Sequence, residues 1–315
     1  MAERIHDDEQ DTSESTVRAL LSSQCPQWAG LRLTYLDTSG TDNAMWRVHV
    51  PSGDDVVVRL PRRGRDATEV AREVEVLRSI ASSPVAAVVN TPLVLHLGTA
   101  APEFSHPWTV LGWLNGSDAW TSRDSLSGMI GKLALDLAEA VRIIGDLTDV
   151  SAPHREPGQR GGPIAPLLER LDRWLDDPQW NAGALIDVAA VRRSADQSRE
   201  VADAAVPTRF VHGDLIPGNL LIEGGRLAAI IDWGSAGYGD AAQDLIPAWA
   251  VFDKKERQVF REVTGADDAS WLRARAFALE QAVGGVLYYT PRGHLLGDVM
   301  FRTLHRILDE DGGLL

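Results

Sequence analysis

Two short stretches decide the fold of this 315-residue chain: Val211-His-Gly-Asp-Leu-Ile-Pro-Gly-Asn219 and Ile230-Ile-Asp-Trp-Gly234. Two apolar runs between them flank the turn Glu223-Gly-Gly-Arg226, a pattern that predicts a β-hairpin. The loop therefore carries an Asp and, five residues later, an Asn, and a second Asp ends the hairpin. Such a set suits phosphoryl transfer, which needs positioning and neutralisation of phosphate charge more than covalent help.

The residue types in this set suggest which of them bind a metal ion and which accepts a proton. Oxygen ligands suit Mg²⁺, a hard cation that keeps several waters and takes only one or two carboxylates. Asn219 and Asp232 can supply such ligands from opposite arms of the predicted hairpin. Asp214 is then left to accept the hydroxyl proton and orient the nucleophile. Either motif alone could be ordinary turn residues, since Asp and Asn favour turns, but the joint pattern is poorly explained that way.

At these residues the sequence resembles a known family. His212-Gly-Asp214 with Asn219, and Ile231-Asp-Trp-Gly234, are similar to the catalytic loop and metal-binding segment of the aminoglycoside phosphotransferase family, which has the protein-kinase fold. The resemblance implies Asp214 as catalytic base, Asn219 and Asp232 as Mg²⁺ ligands, and ATP or GTP as co-substrate. His212 is expected to support the loop through hydrogen bonds.

The resemblance continues through Gly239-Asp-Ala-Ala-Gln-Asp-Leu245. There we expect Asp240 and Asp244 to be structural, capping or bracing a helix that begins near Ala241. Trp233 is expected to pack and hold the metal-binding segment in place.

The rest of the chain divides into a β-rich first third and a helical remainder. The periodicity predicts a helix at Ala67–Ile80, and extended runs occur at Leu31–Tyr35, Met45–Val50, Val56–Leu60, Leu93–Leu97 and Trp108–Trp113. We therefore predict an α+β, bilobal protein-kinase-like fold. Residues 1–112 form a small, mainly antiparallel β N-lobe with one helix, and residues 113–315 form a larger, mostly helical C-lobe. A ligand is expected in the cleft between them.

The first lobe should offer a cation to the phosphates and an acidic partner for that cation. The strand Val56-Val-Val-Arg59 resembles the third strand of the family, with Arg59 where most kinases carry Lys. Arg can bind phosphate through its planar fork, but the two residues differ in geometry. Glu73 is the favoured ion-pair partner, and Glu69 and Glu75 are alternatives because helical phase is not fixed to one residue.

Two other segments are candidates for nucleotide contacts. The loop that contains Ser39 and Thr41 stands where a phosphate-covering loop would lie, although it lacks a full G-x-G-x-x-G and a plain hairpin turn is an equal alternative. Pro107–Gly116 resembles the segment that links the lobes, so backbone groups at Leu111–Trp113, including those of Leu111 and Trp113, would bind the purine base.

The net charge and composition of the chain limit the kinds of molecule that it is expected to bind. A formal charge of −14 argues against nucleic acid or an anionic membrane as a partner and is compatible with a cationic small molecule. No apolar run approaches the roughly 20 residues that span a bilayer. A single cysteine fits a reducing compartment, so a cytoplasmic location is expected. Acidic residues after position 250 could attract an amine-bearing substrate, although each is individually more typical of a solvated helix face: Asp253, Glu256, Asp267, Asp268 and Glu280.

The resemblance suggests a small-molecule kinase that transfers the γ-phosphate of ATP or GTP to a hydroxyl group, with an aminoglycoside-like antibiotic as acceptor and antibiotic resistance as role. Relatives with similar motifs phosphorylate macrolides, choline, sugars or amino alcohols, and these acceptors stay open. A catalytically silent nucleotide-binding protein on the same fold is the alternative from another class. Arg59 keeps it open, whereas Asp214, Asn219 and Asp232 together argue against it.

Overall fold

The chain divides into two compact units in a computed structural model. The residues described are 9–36, 42–51, 53–123, 130–202 and 204–310. The first unit comprises Met1–Ala86 and Asn90–Asn115, and the second comprises Ala87–Val89 and Gly116–Leu315. None of the helices in the described ranges is both long enough and apolar enough to cross a membrane.

The first unit is an antiparallel sheet with one long helix. Its strands lie in the order β1-β2-β3-β5-β4, and every neighbouring pair is antiparallel. The strands are β1 (Arg32–Leu36), β2 (Asn43–His49), β3 (Val56–Pro61), β4 (Val94–Gly98) and β5 (Trp108–Gly112). The helices are α1 (Glu14–Gln24), α2 (Pro26–Ala29) and α3 (Ala67–Ala81).

Burial explains why these segments become strands and helices. Strand β2 alternates between buried and partly exposed residues, as a strand with one covered face should, whereas every residue of β3 is buried at the centre of the sheet. Helix α1 begins at Ser13, whose side chain accepts a hydrogen bond from Thr16 N, and packs apolar residues against the sheet. Asp66 caps α3 in the same way through Thr68 N.

The second unit is mostly helical and also contains short strands. Its helices are α4 (Ile130–Gly145), α5 (Ile164–Asp176), α6 (Val188–Arg199), α7 (Pro247–Ala250), α8 (Lys254–Thr264), α9 (Asp268–Tyr289) and α10 (Leu295–Glu310). Its strands are β6 (Ser117–Asp118), β7 (Thr208–Val211), β8 (Leu220–Glu223), β9 (Arg226–Ile230) and β10 (Gly237–Asp240). Helix α9 is buried over most of its length because α5, α6 and α10 all pack on it. The predicted α+β kinase-like architecture is confirmed.

The predicted hairpin is β8–β9. Leu220 lies opposite Ile230, and the N–H of Ile231 donates to the carbonyl of Asn219 at 3.0 Å, so the ladder continues one residue beyond the start of β8. The turn is anchored to α4, since both Arg226 Nε and Nη2 donate to the carboxylate of Asp136 at 2.6 Å. This arrangement fixes the two arms of the hairpin at their far end.

Strand β10 was not predicted from the sequence. It pairs antiparallel with β7, with Gly237 opposite Val211 and Asp240 opposite Thr208. Two glycines in the four residues Gly-Tyr-Gly-Asp lower the strand propensity of the segment, and backbone pairing with distant segments, β7 above all, makes it a strand. The pairing places Asp240 and the segment after it beside the strand that leads into the predicted catalytic loop.

One buried ion pair in this unit should contribute strongly to stability. Asp240 Oδ2 lies 2.7 Å from Arg273 Nε, and only 8% and 10% of the two side chains are exposed. We expect Asp240→Ala to lower the free energy of unfolding by about 3 kcal/mol, because it leaves a buried guanidinium without its counter-charge. Urea denaturation measures the loss. The matched control is Asp146→Ala, which removes an exposed ion pair with Arg209 and should cost well under about 1 kcal/mol. Equal losses in the two variants would contradict the assignment.

Candidate active site

The segment after β7 is a tight loop that requires glycine at one position. Gly213 has φ +83°, and a Cβ there would lie 2.3 Å from the carbonyl oxygen of Ser235. Only glycine adopts this backbone conformation without strain and allows so close an approach. Asp214 follows directly, so the fold of the loop sets the position of its carboxylate.

The side chain of Asp244 holds this loop in place through two hydrogen bonds. Its carboxylate, on a buried side chain, accepts hydrogen bonds from His212 N at 2.7 Å and from Gly213 N at 2.8 Å. Burial raises the pKa of the Asp244 carboxyl to about 7, although these two hydrogen bonds act against the rise. The structure thus differs from the expectation that Asp244 would brace its own helix. Asp240 does cap that helix, the 3₁₀ helix Ala241–Leu245, because its side chain accepts a hydrogen bond from Ala242 N at 3.0 Å.

His212 supports the loop as a neutral imidazole. Its Nδ1 accepts a hydrogen bond from Asp214 N at 3.2 Å, so Nε2 carries the proton and donates it to the carbonyl of Ile231 at 3.1 Å. The ring also packs edge-on against Trp233, with centroids 4.6 Å apart, and Trp233 Nε1 donates to Ile230 O. The expected supporting and packing roles of these two side chains agree with these contacts.

This imidazole should make the fold sensitive to acid. Burial lowers the pKa of His212 from 6.5 to about 4. Between those values the unfolded chain binds a proton here and the folded chain does not, so the contribution of His212 to the free energy of unfolding falls as pH falls through this window, by about 3 kcal/mol. Denaturation curves from pH 7.5 down to about pH 4.5 measure the slope.

The matched comparison is His212→Asn, which keeps a donor and an acceptor but cannot titrate in this range. We expect its stability to fall less steeply on acidification than that of the wild type. Asp244, whose raised pKa gives it the opposite sign, is present in both proteins and does not confound the difference. An equal change of the free energy of unfolding with pH in the wild type and in His212→Asn would refute the prediction.

The carboxylate of Asp214 is surrounded by donors from three segments. Gln281 Nε2, on α9, donates to Oδ1 at 2.9 Å, and Arg160 Nη1 lies 2.5 Å from the same oxygen. Asn219 Nδ2 donates to the Asp214 carbonyl at 2.9 Å and lies 3.4 Å from Oδ2. Oδ2 is therefore the more lightly engaged carboxylate oxygen in these contacts.

Sequence reasoning missed both Arg160 and Gln281. Arg160 lies in the Gly- and Pro-containing loop before α5, and Gln281 is 67 residues beyond Asp214 in the middle of a buried helix. No spacing rule connects them with the catalytic loop. Gln281 also lines a small, mostly apolar recess with Ile216, Ala278 and Met300, and its Oε1 is buried without a hydrogen-bond partner within the part of the chain that the structure describes.

Asn219 and Asp232 could hold a Mg²⁺ ion. The ladder between β8 and β9 places Asn219 opposite Ile231, so Asp232 follows directly on the other arm. The Nδ2 of Asn219 is committed to Asp214, which leaves its amide oxygen as the atom that can act as a ligand. An amide oxygen and a carboxylate are the hard donors that Mg²⁺ prefers. Asp232 adopts φ 62° and ψ 67°, a left-handed conformation that Asp and Asn tolerate better than most residues.

In the first unit, two arginines share one glutamate. Arg59 Nη1 pairs with Glu73 Oε1, Arg65 Nη1 lies 2.8 Å from Glu73 Oε2, and the Arg59 and Glu73 side chains are buried. Burial raises the pKa of the Glu73 carboxyl, but the charges and hydrogen bonds of Arg59 and Arg65 outweigh it and hold the pKa below its ordinary value. The Asn43 amide is oriented so that its oxygen accepts hydrogen bonds from Arg59 Nε at 3.1 Å and from Arg59 Nη2 at 2.9 Å.

The ion pair of Arg59 thus forms with Glu73 and not with the two alternatives. Glu75 is exposed and pairs with Arg78 at 2.7 Å, and Glu69 lies 4.0 Å from Arg65. The two guanidiniums on one carboxylate carry a net positive charge, which suits a phosphate. Binding of nucleotide by Arg59 and Glu73 stays a prediction.

The other candidates for nucleotide contacts are in two segments. Ser39 and Thr41 lie outside the described residues. Leu111 lies in β5 opposite Val57, and Trp113 N donates to the carbonyl of Asp55 at 3.0 Å. The Trp113 amide is therefore already hydrogen-bonded, so recognition of a base by this segment, which stays a prediction, would depend on other backbone groups.

The acidic residues after position 250 are largely engaged in the fold. Asp253 and Asp267 cap α8 and α9, Asp268 pairs with Arg261, and Glu280 lies 2.7 Å from Arg170 Nη2. Burial raises the pKa of the Glu280 carboxyl even though Arg170 opposes the rise. These carboxylates serve helix caps and ion pairs.

The fold is the kinase-like fold of the phosphotransferases. The chain belongs to the phosphotransferase enzyme family, whose model matches residues 36–277. No curated protein matches the chain.

Solved structures share the fold at low sequence identity. An aminoglycoside phosphotransferase, APH(2")-IIIa, solved with GDP and kanamycin, is 18% identical with a TM-score of 0.69 over 94% of this chain and 98% of that one. A thermostable mutant of APH(4)-Ia with AMP-PNP and hygromycin B is 17% identical with a TM-score of 0.62 over 95% and 100%. The macrolide 2'-phosphotransferase MphH from Brachybacterium faecium is 20% identical with a TM-score of 0.60 over 91% and 97%.

Proposed function

We propose that this enzyme transfers the γ-phosphate of ATP or GTP to a hydroxyl group of a small molecule. The observation that carries the proposal is the arrangement of Asp214, Asn219 and Asp232, in which the amide of Asn219 and the carboxylate of Asp232 end the arms of one hairpin and a second carboxylate, that of Asp214, lies beside Asn219. The family match and the nucleotide complexes of structurally similar proteins support it.

In the proposed mechanism each residue has one task. Asp214 binds the acceptor hydroxyl and takes up its proton, and Oδ2, the more lightly engaged oxygen, is the atom that receives it. Gln281 keeps the carboxylate oriented through Oδ1. Asn219 and Asp232 would hold Mg²⁺, and a bound Mg²⁺ would neutralise charge on the phosphates. Arg59, which lies in the predicted N-lobe (residues 1–112) and is kept in place by Glu73, would contact phosphate oxygens of the nucleotide.

The acceptor class is proposed on family grounds. Structurally similar proteins were solved with kanamycin and hygromycin B, and one acts on macrolides, so an aminoglycoside-like antibiotic is the first acceptor to test. Neutral alcohols belong in the same screen for two reasons: Asp253, Asp267 and Glu280 are engaged in caps and ion pairs, and Arg160 places a positive charge against the base.

The decisive experiment is a phosphotransfer screen that couples nucleoside diphosphate formation to an optical signal. Aminoglycosides, macrolides, amino alcohols, choline and sugars are each tested with ATP and with GTP in the presence of Mg²⁺. We expect acceptor-dependent diphosphate formation with at least one acceptor class, and a phosphate monoester as the product by mass spectrometry. Nucleotide binding without turnover for every acceptor and for water would favour a catalytically silent nucleotide-binding protein instead.

A further inference from the structure

The catalytic loop itself contains no cation. Residues 213–219 read Gly-Asp-Leu-Ile-Pro-Gly-Asn, without Lys or Arg. The positive charge at the Asp214 carboxylate comes from Arg160, whose Nη1 lies 2.5 Å from Oδ1 and whose side chain is 41% exposed. A guanidinium that is in contact with the predicted base and still accessible to solvent has a different environment from the buried arginines of structural ion pairs in this unit, such as Arg273.

The loop that carries Arg160 is firmly attached. At its start, Arg155 N donates to the carbonyl of Tyr238 and Tyr238 N donates to the carbonyl of Pro153, both at 2.8 Å. Beyond Arg160, Asp240 N donates to the carbonyl of Gly161 at 2.7 Å. These bonds tie the loop to β10, which in turn pairs with the strand leading into the catalytic loop.

A single buried amide joins the two loops directly. Gln243 Oε1 accepts from Gly161 N at 3.0 Å, and its Nε2 donates to the carbonyl of Gly213 at 3.2 Å. Gly161 follows Arg160 in sequence and Gly213 precedes Asp214, so the amide spans the backbones next to the two charged residues. Gln243 is only 1% exposed, so water does not compete for either bond. The backbones that carry Arg160 and Asp214 are therefore held next to each other in the protein without substrate.

Geometry then places Arg160 near the reacting atoms. An acceptor oxygen must come within about 2.6–3.2 Å of an Asp214 carboxylate oxygen to transfer its proton. Because Arg160 Nη1 is 2.5 Å from Oδ1, that oxygen lies no more than about 8 Å from the guanidinium, whichever carboxylate oxygen it uses. The phosphoryl group that it attacks is within reach of the long arginine side chain.

We propose that Arg160 is a catalytic residue that contacts the phosphoryl group during its transfer, an inference that rests on the proposed function. In this step the acceptor oxygen forms a bond to the γ-phosphorus and the bond between that phosphorus and the β,γ-bridging oxygen breaks. The electron pair stays on the β-phosphate of the departing diphosphate, and the acceptor proton passes to Asp214. The Arg160 guanidinium stabilises the charge on the equatorial phosphoryl oxygens, and Gln243 is the positioning residue that holds its loop.

The test uses water as the acceptor, so that no acceptor needs to be known. Release of inorganic phosphate from ATP and from GTP is measured for the wild type, Arg160→Met, Arg160→Lys and the control Arg209→Met, which removes an exposed arginine near the start of β7 that pairs with Asp146. We expect Arg160→Met to lower kcat by about 100-fold with little change in KM for the nucleotide. Arg160→Lys should keep part of the activity, and Arg209→Met should match the wild type.

Chemical rescue separates catalysis from structure. Millimolar methylguanidinium should restore part of the kcat of Arg160→Ala and leave the wild type and Arg209→Met unchanged, because an exposed side chain leaves a site that the free ion can enter. A purely structural role, with no rescue and no benefit from lysine, would overturn the inference, and so would an unchanged or increased rate in Arg160→Met. Failure of the proposed function looks different: the wild type releases no phosphate, or Asp232→Asn releases it as fast as the wild type.

Discussion

Replacing Asp214 with asparagine is expected to lower kcat by about 1,000-fold, because the amide keeps the shape of the carboxylate but cannot accept the hydroxyl proton. Nucleotide binding should change little, since Asn219 and Asp232 remain. Pre-steady-state phosphotransfer gives the rate of the chemical step, and calorimetry gives the Kd of the nucleotide with Mg²⁺ present.

The control for Asp214→Asn is Asp196→Asn, which makes the same chemical change at an exposed position on α6. It should leave both quantities unchanged. If Asp214→Asn weakens nucleotide binding as much as it slows turnover, the base assignment fails, since the side chain would then be acting on the bound nucleotide in the ground state.

The second large effect is expected at Asp232. Replacing the charged carboxylate of Asp232 with a neutral amide should lower kcat/KM by about 1,000-fold, because Mg²⁺ then loses the negatively charged ligand of this pair and the several kcal/mol of transition-state stabilisation that depend on it. Asp232→Asn is the informative variant, because asparagine also tolerates the left-handed backbone conformation at this position, whereas alanine would add backbone strain.

The readout specific to Asp232 is the Mg²⁺ dependence of nucleotide binding. In the wild type, addition of Mg²⁺ should tighten binding of ATP or GTP, and in Asp232→Asn this increment should largely disappear while metal-free binding persists. Unfolding curves of the two proteins verify that the fold is intact. An increment of equal size in both proteins would show that Asp232 does not bind the metal.

The sequence predicted the fold because local and tertiary preferences agree there. The apolar strands, the turn between β8 and β9 and helix α3 are all set by neighbouring residues, so their predicted bounds differ from the structure by only a few positions. The pair of motifs around Asp214 and Asp232 likewise depends on short spacings within one loop and one hairpin.

The rest of the site depends on contacts between distant segments. Arg160 and Gln281 reach Asp214 from a loop and a helix that no periodicity connects to it, and Gln243 appears in the sequence as an ordinary polar residue. The sequence predicts that Asp244 braces its own helix, because its hydrogen bonds with the backbone of the catalytic loop have no sequence signature. Hydrogen bonds between backbone groups leave no signature in the sequence either, so the bond from Trp113 N to the carbonyl of Asp55 could not be predicted.

The hairpin that carries Asn219 and Asp232 has a consequence for how the enzyme tolerates thermal fluctuation. Because one backbone ladder joins the two arms and Asp136 clamps the turn, swinging of the hairpin moves both oxygen donors together and preserves the gap between them. What varies is the distance from that pair to Asp214, which the Asn219 amide restrains through its hydrogen bond to the Asp214 carbonyl. Metal affinity should therefore resist heating better than turnover does.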